Sequence, residues 1–227
     1  MSRKLAVSVA VLFLATLACN LFTPKAGEPT TEPVTAEEET QAVEPTVQEQ
    51  IVTEANIANC PMFPANNYWN TPVDSLPTHS QSDAWIESIG SAEEFHMDFG
   101  SGEWDGGPIG IPFNIVAGST VPKVGFEFYY PDESDVGPYP IPENPQREYG
   151  SDHHILVVDT DTCTLFEVYD ASFDNGKWSG GSGAIWDLNS NALRPADWTS
   201  ADAAGLPILP GLVRYDEIAA GEINHAL

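Results

Sequence analysis

Four groups of side chains have the types and spacing that chemistry requires. Asp152-His153-His154 stands directly before the apolar run Ile155-Leu-Val-Val-Asp159. A histidine there can exchange protons near neutral pH or ligate one metal. Neighbouring residues of a strand point to opposite faces, so the two histidines do not share an ion, and His154 is the one the alternation favours. The chain holds 5 His and no His-Glu-x-x-His or His-x-His arrangement, so no metal site is expected from them. Polar residues at a strand edge account for the same triplet. Arg214-Tyr-Asp216-Glu217 is the second group. Its two carboxylates beside an arginine suit acid/base work or substrate holding, and the acids equally suit the first turn of a helix, where they favour its dipole.

The third group is a pair of oxygen-rich turns, Asp132-Glu-Ser-Asp135 and Asp159-Thr-Asp161. Calcium takes its oxygen ligands from such loops, although neither run has the EF-hand spacing. No cofactor is expected beyond a structural calcium ion. The fourth group is aromatic. Among 6 Trp, Trp104 and Trp178 lie between Gly and Asp residues in turns, where an indole face can stack on a sugar, whereas Trp186 lies in a strand and belongs to the core. Ser179-Gly-Gly-Ser-Gly183 lacks the Lys and the following helix of a phosphate loop, and no Gly-x-Ser-x-Gly is present.

The elements that must position these groups are mostly strands. Ile109, Ile111, Phe113 and Ile115 alternate, as do Val124, Phe126, Phe128 and Tyr130. His154–Asp159 is continuously apolar, as a strand covered on both faces would be, and Thr160-Asp-Thr162 joins it to Thr164–Asp170 as a hairpin. Asn175-Gly176 supplies a type I′ turn, and Gly183–Leu188 gives a further strand. Helices are few: Ser82–Ile89 ending at Gly90, and two single turns, Thr199–Gly205 and Asp216–Gly221. The expected fold is a mostly β domain, a sandwich or barrel of short antiparallel strands with a few single-turn helices.

What precedes that domain is of another kind. Arg3 and Lys4, an uncharged stretch to Ala18 and then Cys19 have the layout of a secretory signal peptide. Cys19 resembles the cysteine of a bacterial lipoprotein, which takes a diacylglyceryl group and becomes the mature N-terminus. Residues 20–58 are rich in Glu, Pro and Thr and have no aromatic residue after Phe22, so they are expected to form a disordered tether. The parts are therefore a signal peptide at 1–19, a tether at 20–58 and a β-rich domain at 59–227. Of 3 Cys, one is spent on lipid, leaving Cys60 and Cys163 as a disulfide in an oxidising compartment.

The chain of 227 residues carries 8 Lys+Arg against 34 Asp+Glu, a formal charge of −26. Its few cations form no basic stripe, which argues against nucleic acid as a partner. The balance favours neutral or cationic ligands over anionic ones.

The run from Gly183 to Glu217, which ends in Trp198-Thr-Ser-Ala-Asp-Ala-Ala-Gly-Leu-Pro-Ile-Leu-Pro-Gly-Leu-Val-Arg-Tyr-Asp-Glu217, resembles a family of uncharacterised exported bacterial proteins. Tyr68-Trp-Asn-Thr-Pro-Val-Asp74, Pro138-Tyr-Pro-Ile-Pro142 and His154–Asp159 are similar to its other blocks. The resemblance implies an extracytoplasmic setting and a domain that continues beyond Leu227, and it brings no activity. The expectation is a lipoprotein, anchored to the bilayer through Cys19 at the outer face of the membrane, whose β-rich domain binds a ligand such as a glycan through Trp104 and Trp178. The alternative is a glycan-cleaving enzyme using Glu217 or Asp216 with His154, oriented by Arg214.

Overall fold

The computed structural model describes residues 56–94 and 99–227. The leader, Cys19 and the tether as far as residue 55 lie outside the described residues. Seven strands make the two main sheets: β1 (Phe113–Val116), β2 (Phe126–Phe128), β3 (Ile155–Asp159), β4 (Thr164–Val168), β5 (Ser172–Asp174), β6 (Lys177–Gly180) and β7 (Gly183–Asp187). One sheet has the order β7-β4-β3-β1 and the other β5-β6-β2. The pairs β3–β4, β5–β6 and β4–β7 are antiparallel, with Thr164 opposite Asp159 in the β3–β4 hairpin and Asp174 opposite Lys177 in β5–β6. The pairs β1–β3 and β2–β6 run parallel. The turn of the second hairpin has Asn175 at φ 49° and Gly176 at φ 81°, the positive-φ pair that a type I′ turn requires.

Strand β3 is buried along its whole length, because both faces of its sheet are covered. Leu156 and Val158 join Phe63, Leu165, Trp186 and Leu209 on one face. Ile155 and Val157 join Val116, Tyr139, Phe166 and Val168 on the other, where Phe126, Phe128 and Trp178 of the three-stranded sheet pack over them. The result is a small sandwich. Each fully buried aliphatic side chain contributes about 1.5–3 kcal/mol, so β3 is the strand the domain can least spare.

Three expectations need correction. Ile115 is half exposed while Asn114 is buried, the reverse of what the alternation of isoleucines predicts for β1. Asn114 is held inward by its amide, which donates to the carbonyl oxygens of Gln146 and Leu156 and accepts from the Gln146 N–H at 2.7 Å. Thr199–Gly205 forms turns in place of a helical turn. Its intended cap, Thr199, gives both its N–H and its hydroxyl to Glu133, and the Ser200 hydroxyl bonds locally to Asp202. Two residues of the segment expected as tether also belong to the fold: Asn56–Ile57 pairs with Cys60–Pro61, and Ile57 lies in the core.

The helices are otherwise as expected. Helix α1 (Ser82–Ile89) ends at Gly90 and buries none of its residues. Helix α2 (Tyr215–Ala220) ends at Gly221, whose φ of 82° is the left-handed C-terminal cap. Among the described residues no helix is long and apolar enough to cross a membrane.

Candidate functional site

The segment leading into β3 separates two hollows. Ser151 and His153 face a cleft of about 900 Å³, while Asp152 and His154 face a cavity of about 620 Å³. Ile109 and Ile111 divide in the same way. Between the hollows sits a pair of side chains. Nδ1 of His154 lies 2.6 Å from Oε2 of Glu148, and the His154 backbone N–H donates to the same oxygen at 3.2 Å. Nε2 lies 3.1 Å from the carbonyl oxygen of Ala201. Nε2 therefore donates, and one proton is shared between Nδ1 and the Glu148 carboxylate. His154 is buried, and Glu148 reaches the wall of the cleft.

Trp104 stands in that cleft. It ends a two-residue strand, Glu103–Trp104, paired with Gly107–Pro108. The connecting Asp105 and Gly106 both have positive φ, at 50° and 88°, so the hairpin is as tight as two residues allow. Its tip carries the indole outward, 78% exposed. Phe99 and Tyr149 line the same cleft, and Asp105 and Glu148 supply carboxylates. Tyr149 lies so close over Gly107 that a Cβ there would overlap its ring. The cleft is thus a set of aromatic faces edged by hydrogen-bond acceptors.

The cavity beside it is lined on one side by residues of the segment from Thr199 to Ile208. One end of this segment is fixed by Glu133, whose carboxylate accepts from the Thr199 hydroxyl at 2.7 Å and the Thr199 N–H at 3.1 Å. Those bonds hold the Glu133 carboxyl below its usual range. Arg194 pairs with Asp135 and donates to the carbonyl oxygens of Glu133 and Thr199. Its guanidinium is also placed 5.5 and 5.4 Å from the ring centres of Trp186 and Trp198. The other end is fixed from inside the sheet by Glu167 of β4. Its carboxylate accepts from the N–H groups of Ile208 and Leu209 and from the Trp186 indole. Complete burial pushes the Glu167 carboxyl up to about 7, against the downward pull of those three donors and of His154.

The sequence-derived candidates are distributed as follows. His154 lines the cavity, and Arg214, Asp216 and Glu217 are not among the residues lining it. Glu217 accepts from the Arg214 backbone N–H at 2.8 Å, as a residue of the first helical turn does, and its other oxygen meets Arg214 Nη2 at 2.5 Å and His225 Nε2 at 2.8 Å. Asp216 is 3.5 Å from Arg214 Nε and largely exposed. Trp178 lines a third hollow, apart from the cleft that holds Trp104, and is packed between Phe126 and Phe173 at centroid distances of 5.4 and 5.0 Å. Cys60 and Cys163 are joined, and Cys19 lies outside the described residues.

The oxygen-rich turns direct their oxygens at protein donors. Asp159 accepts from Gly118 and Asp161 N–H groups and pairs with Lys123 at 3.3 Å, and Asp161 accepts from Ser119 N–H. Among the described residues no group of three or more His, Cys, Asp or Glu is arranged to hold a metal ion.

Two residues of this region were not singled out by the sequence. Glu148 offers no signal there, because its role depends on the chain folding back onto His154, six positions on. Glu167 offers one: an acid inside the apolar strand Thr164-Leu-Phe-Glu-Val168 must find buried partners. Compared with protein-family models, with curated proteins and with solved structures, the chain matches none.

Proposed function

We propose that this domain is the ligand-binding head of an exported lipoprotein, anchored through a lipidated Cys19 to the outer face of the cell membrane, and that its ligand is a glycan held in the Trp104 cleft. The observation that carries the reading is the exposure of Trp104 at the tip of a tight hairpin, in a cleft that also presents Tyr149 and the carboxylates of Asp105 and Glu148. An indole left in water is costly unless something covers it, and a sugar ring offers an apolar face to the indole and hydroxyls to the acids. Trp178, half-buried between two phenylalanines, is core to the three-stranded sheet in this reading. The test is retention of the protein on a panel of insoluble polysaccharides and peptidoglycan. Retention on one polymer that Trp104→Ala weakens about tenfold supports the proposal; no retention on any polymer, or retention indifferent to Trp104, overturns it.

The reading of a glycan-cleaving enzyme has one observation in its favour, the Glu148 carboxylate at the cleft wall with His154 only 2.6 Å behind it. Release of new oligomers by the protein, abolished in Glu148→Gln, would replace binding by cleavage.

A further inference from the structure

We infer that the cavity beside His154 is a second binding site, independent of the Trp104 cleft, and that it takes a small organic cation carrying an ammonium group. Its walls are of two kinds. Tyr130 and Tyr169 supply aromatic faces, and Glu133, Asp152 and Asp202 supply carboxylates. The two tyrosines are fixed to one point of the backbone: Gly181 accepts from the Tyr130 N–H at 3.0 Å and donates its own N–H to the Tyr169 carbonyl at 2.7 Å. No Lys or Arg lines the cavity. Arg194, which is bonded to two of the lining residues, is occupied by Asp135 and by their backbone carbonyls. His154 lies 2.6 Å from the Glu148 carboxylate, so its ring already has an acidic partner at hand.

The same geometry argues for a diffuse charge over a compact one. The acids are not grouped as a metal ion needs, and a volume of about 620 Å³ is within the range of small-molecule pockets. Tyrosine faces attract an ammonium group through the ring quadrupole, and the surrounding carboxylates supply the long-range attraction. This chain already uses the device internally, since Arg194 sits against Trp186 and Trp198.

The experiment is calorimetric titration of the whole protein with choline, with glucosamine and with N-acetylglucosamine, the neutral counterpart that separates charge from sugar shape. Choline and glucosamine are expected to bind, more weakly as salt is raised, and N-acetylglucosamine is not. Tyr130→Ala, at a ring that is more than half exposed, is expected to weaken choline about fivefold, and Asp202→Asn by a similar factor. Phe173→Ala, in the third hollow, should leave the titration unchanged. Equal binding of the two sugars, choline binding indifferent to Tyr130→Ala, or no heat with either cation at millimolar concentration would each overturn the inference. Polysaccharide retention through Trp104 is read separately, so the two proposals stand or fall apart.

Discussion

His154 ties two distant parts of the chain to one strand. Its Nδ1 is 2.6 Å from Glu148, in the loop before β3, and its Nε2 is 3.1 Å from the Ala201 carbonyl oxygen, in a segment that lines the cavity. The wall between the two hollows therefore passes through one buried ring, in addition to the bonds that Glu133 and Glu167 make. His154→Ala leaves the Glu148 carboxylate with only the backbone N–H of residue 154 and takes the ring donor from the Ala201 carbonyl oxygen, which should cost roughly 1–3 kcal/mol in urea unfolding. His154→Gln, which can still donate, should recover part of that loss. Both polysaccharide retention and choline binding should fall in His154→Ala, whereas Trp104→Ala should affect only the first. Loss of one function alone would show that the hollows do not depend on this ring jointly.

Glu167 gives the domain a pH dependence with a definite sign. Burial raises its carboxyl from 4.5 to about 7, so between those values the folded protein holds a proton that the unfolded chain has released. Its contribution to stability is thus greatest below about pH 4.5, declines as pH rises to about 7, and is constant above that. That interval, at about 1.4 kcal/mol for each pH unit, bounds the effect at roughly 3 kcal/mol. The difference in unfolding free energy between the natural protein and Glu167→Gln, followed from pH 4 to pH 8, should change by up to that amount and in that direction. Parallel curves would mean that the carboxylate stays ionised on its three donors.

How legible all this was depended on how local the cause is. The β3–β4 hairpin, the Asn175-Gly176 turn and the Gly221 cap are set by residues within a few positions of one another, and each forms where the sequence places it. Ile115 and Asn114 exchange faces because the amide of Asn114 finds Gln146 and Leu156, partners 32 and 42 residues away. Thr199 has the type of an N-cap and spends its donors on Glu133, 66 residues back. The candidate site followed the same rule. His154 and Trp104 were visible as residues out of keeping with their surroundings, but that a loop would bring Glu148 to His154, and that Arg214 and Glu217 would pair away from both, depended on tertiary contacts.

The Cys60–Cys163 disulfide closes a loop of 103 residues, which contains β1, β2 and β3. In the chain-entropy description, a loop of that length stabilises by about 4–5 kcal/mol. Cys60 is buried in the core with Met62 and Phe63, so the bond ties this stretch of core to Cys163, beside β4. Adding a reductant, or replacing both cysteines by serine, should lower the unfolding free energy by several kcal/mol. An unchanged midpoint under reductant would show that the core alone holds the N-terminal edge.

Glu217 distinguishes a clamp from a catalyst. Both of its oxygens are engaged, one by the Arg214 N–H and one by Arg214 Nη2 and His225. Arg214 is itself buried, and its remaining charged neighbour is the exposed Asp216 at 3.5 Å. Removing the carboxylate leaves a buried guanidinium short of a counter-charge, a change that costs about 3–5 kcal/mol. Glu217→Ala should approach that loss and Glu217→Gln should fall short of it, since the amide oxygen can still accept from the Arg214 N–H. Replacing Arg214 by Met as well should restore part of the stability, because the pair is then removed as a unit. Retention on a polysaccharide should be unaltered in Glu217→Gln at a temperature where the variant is folded. If retention or oligomer release vanished while urea unfolding stayed unchanged, Glu217 would belong to the functional site, and the clamp would not be its reason for being there.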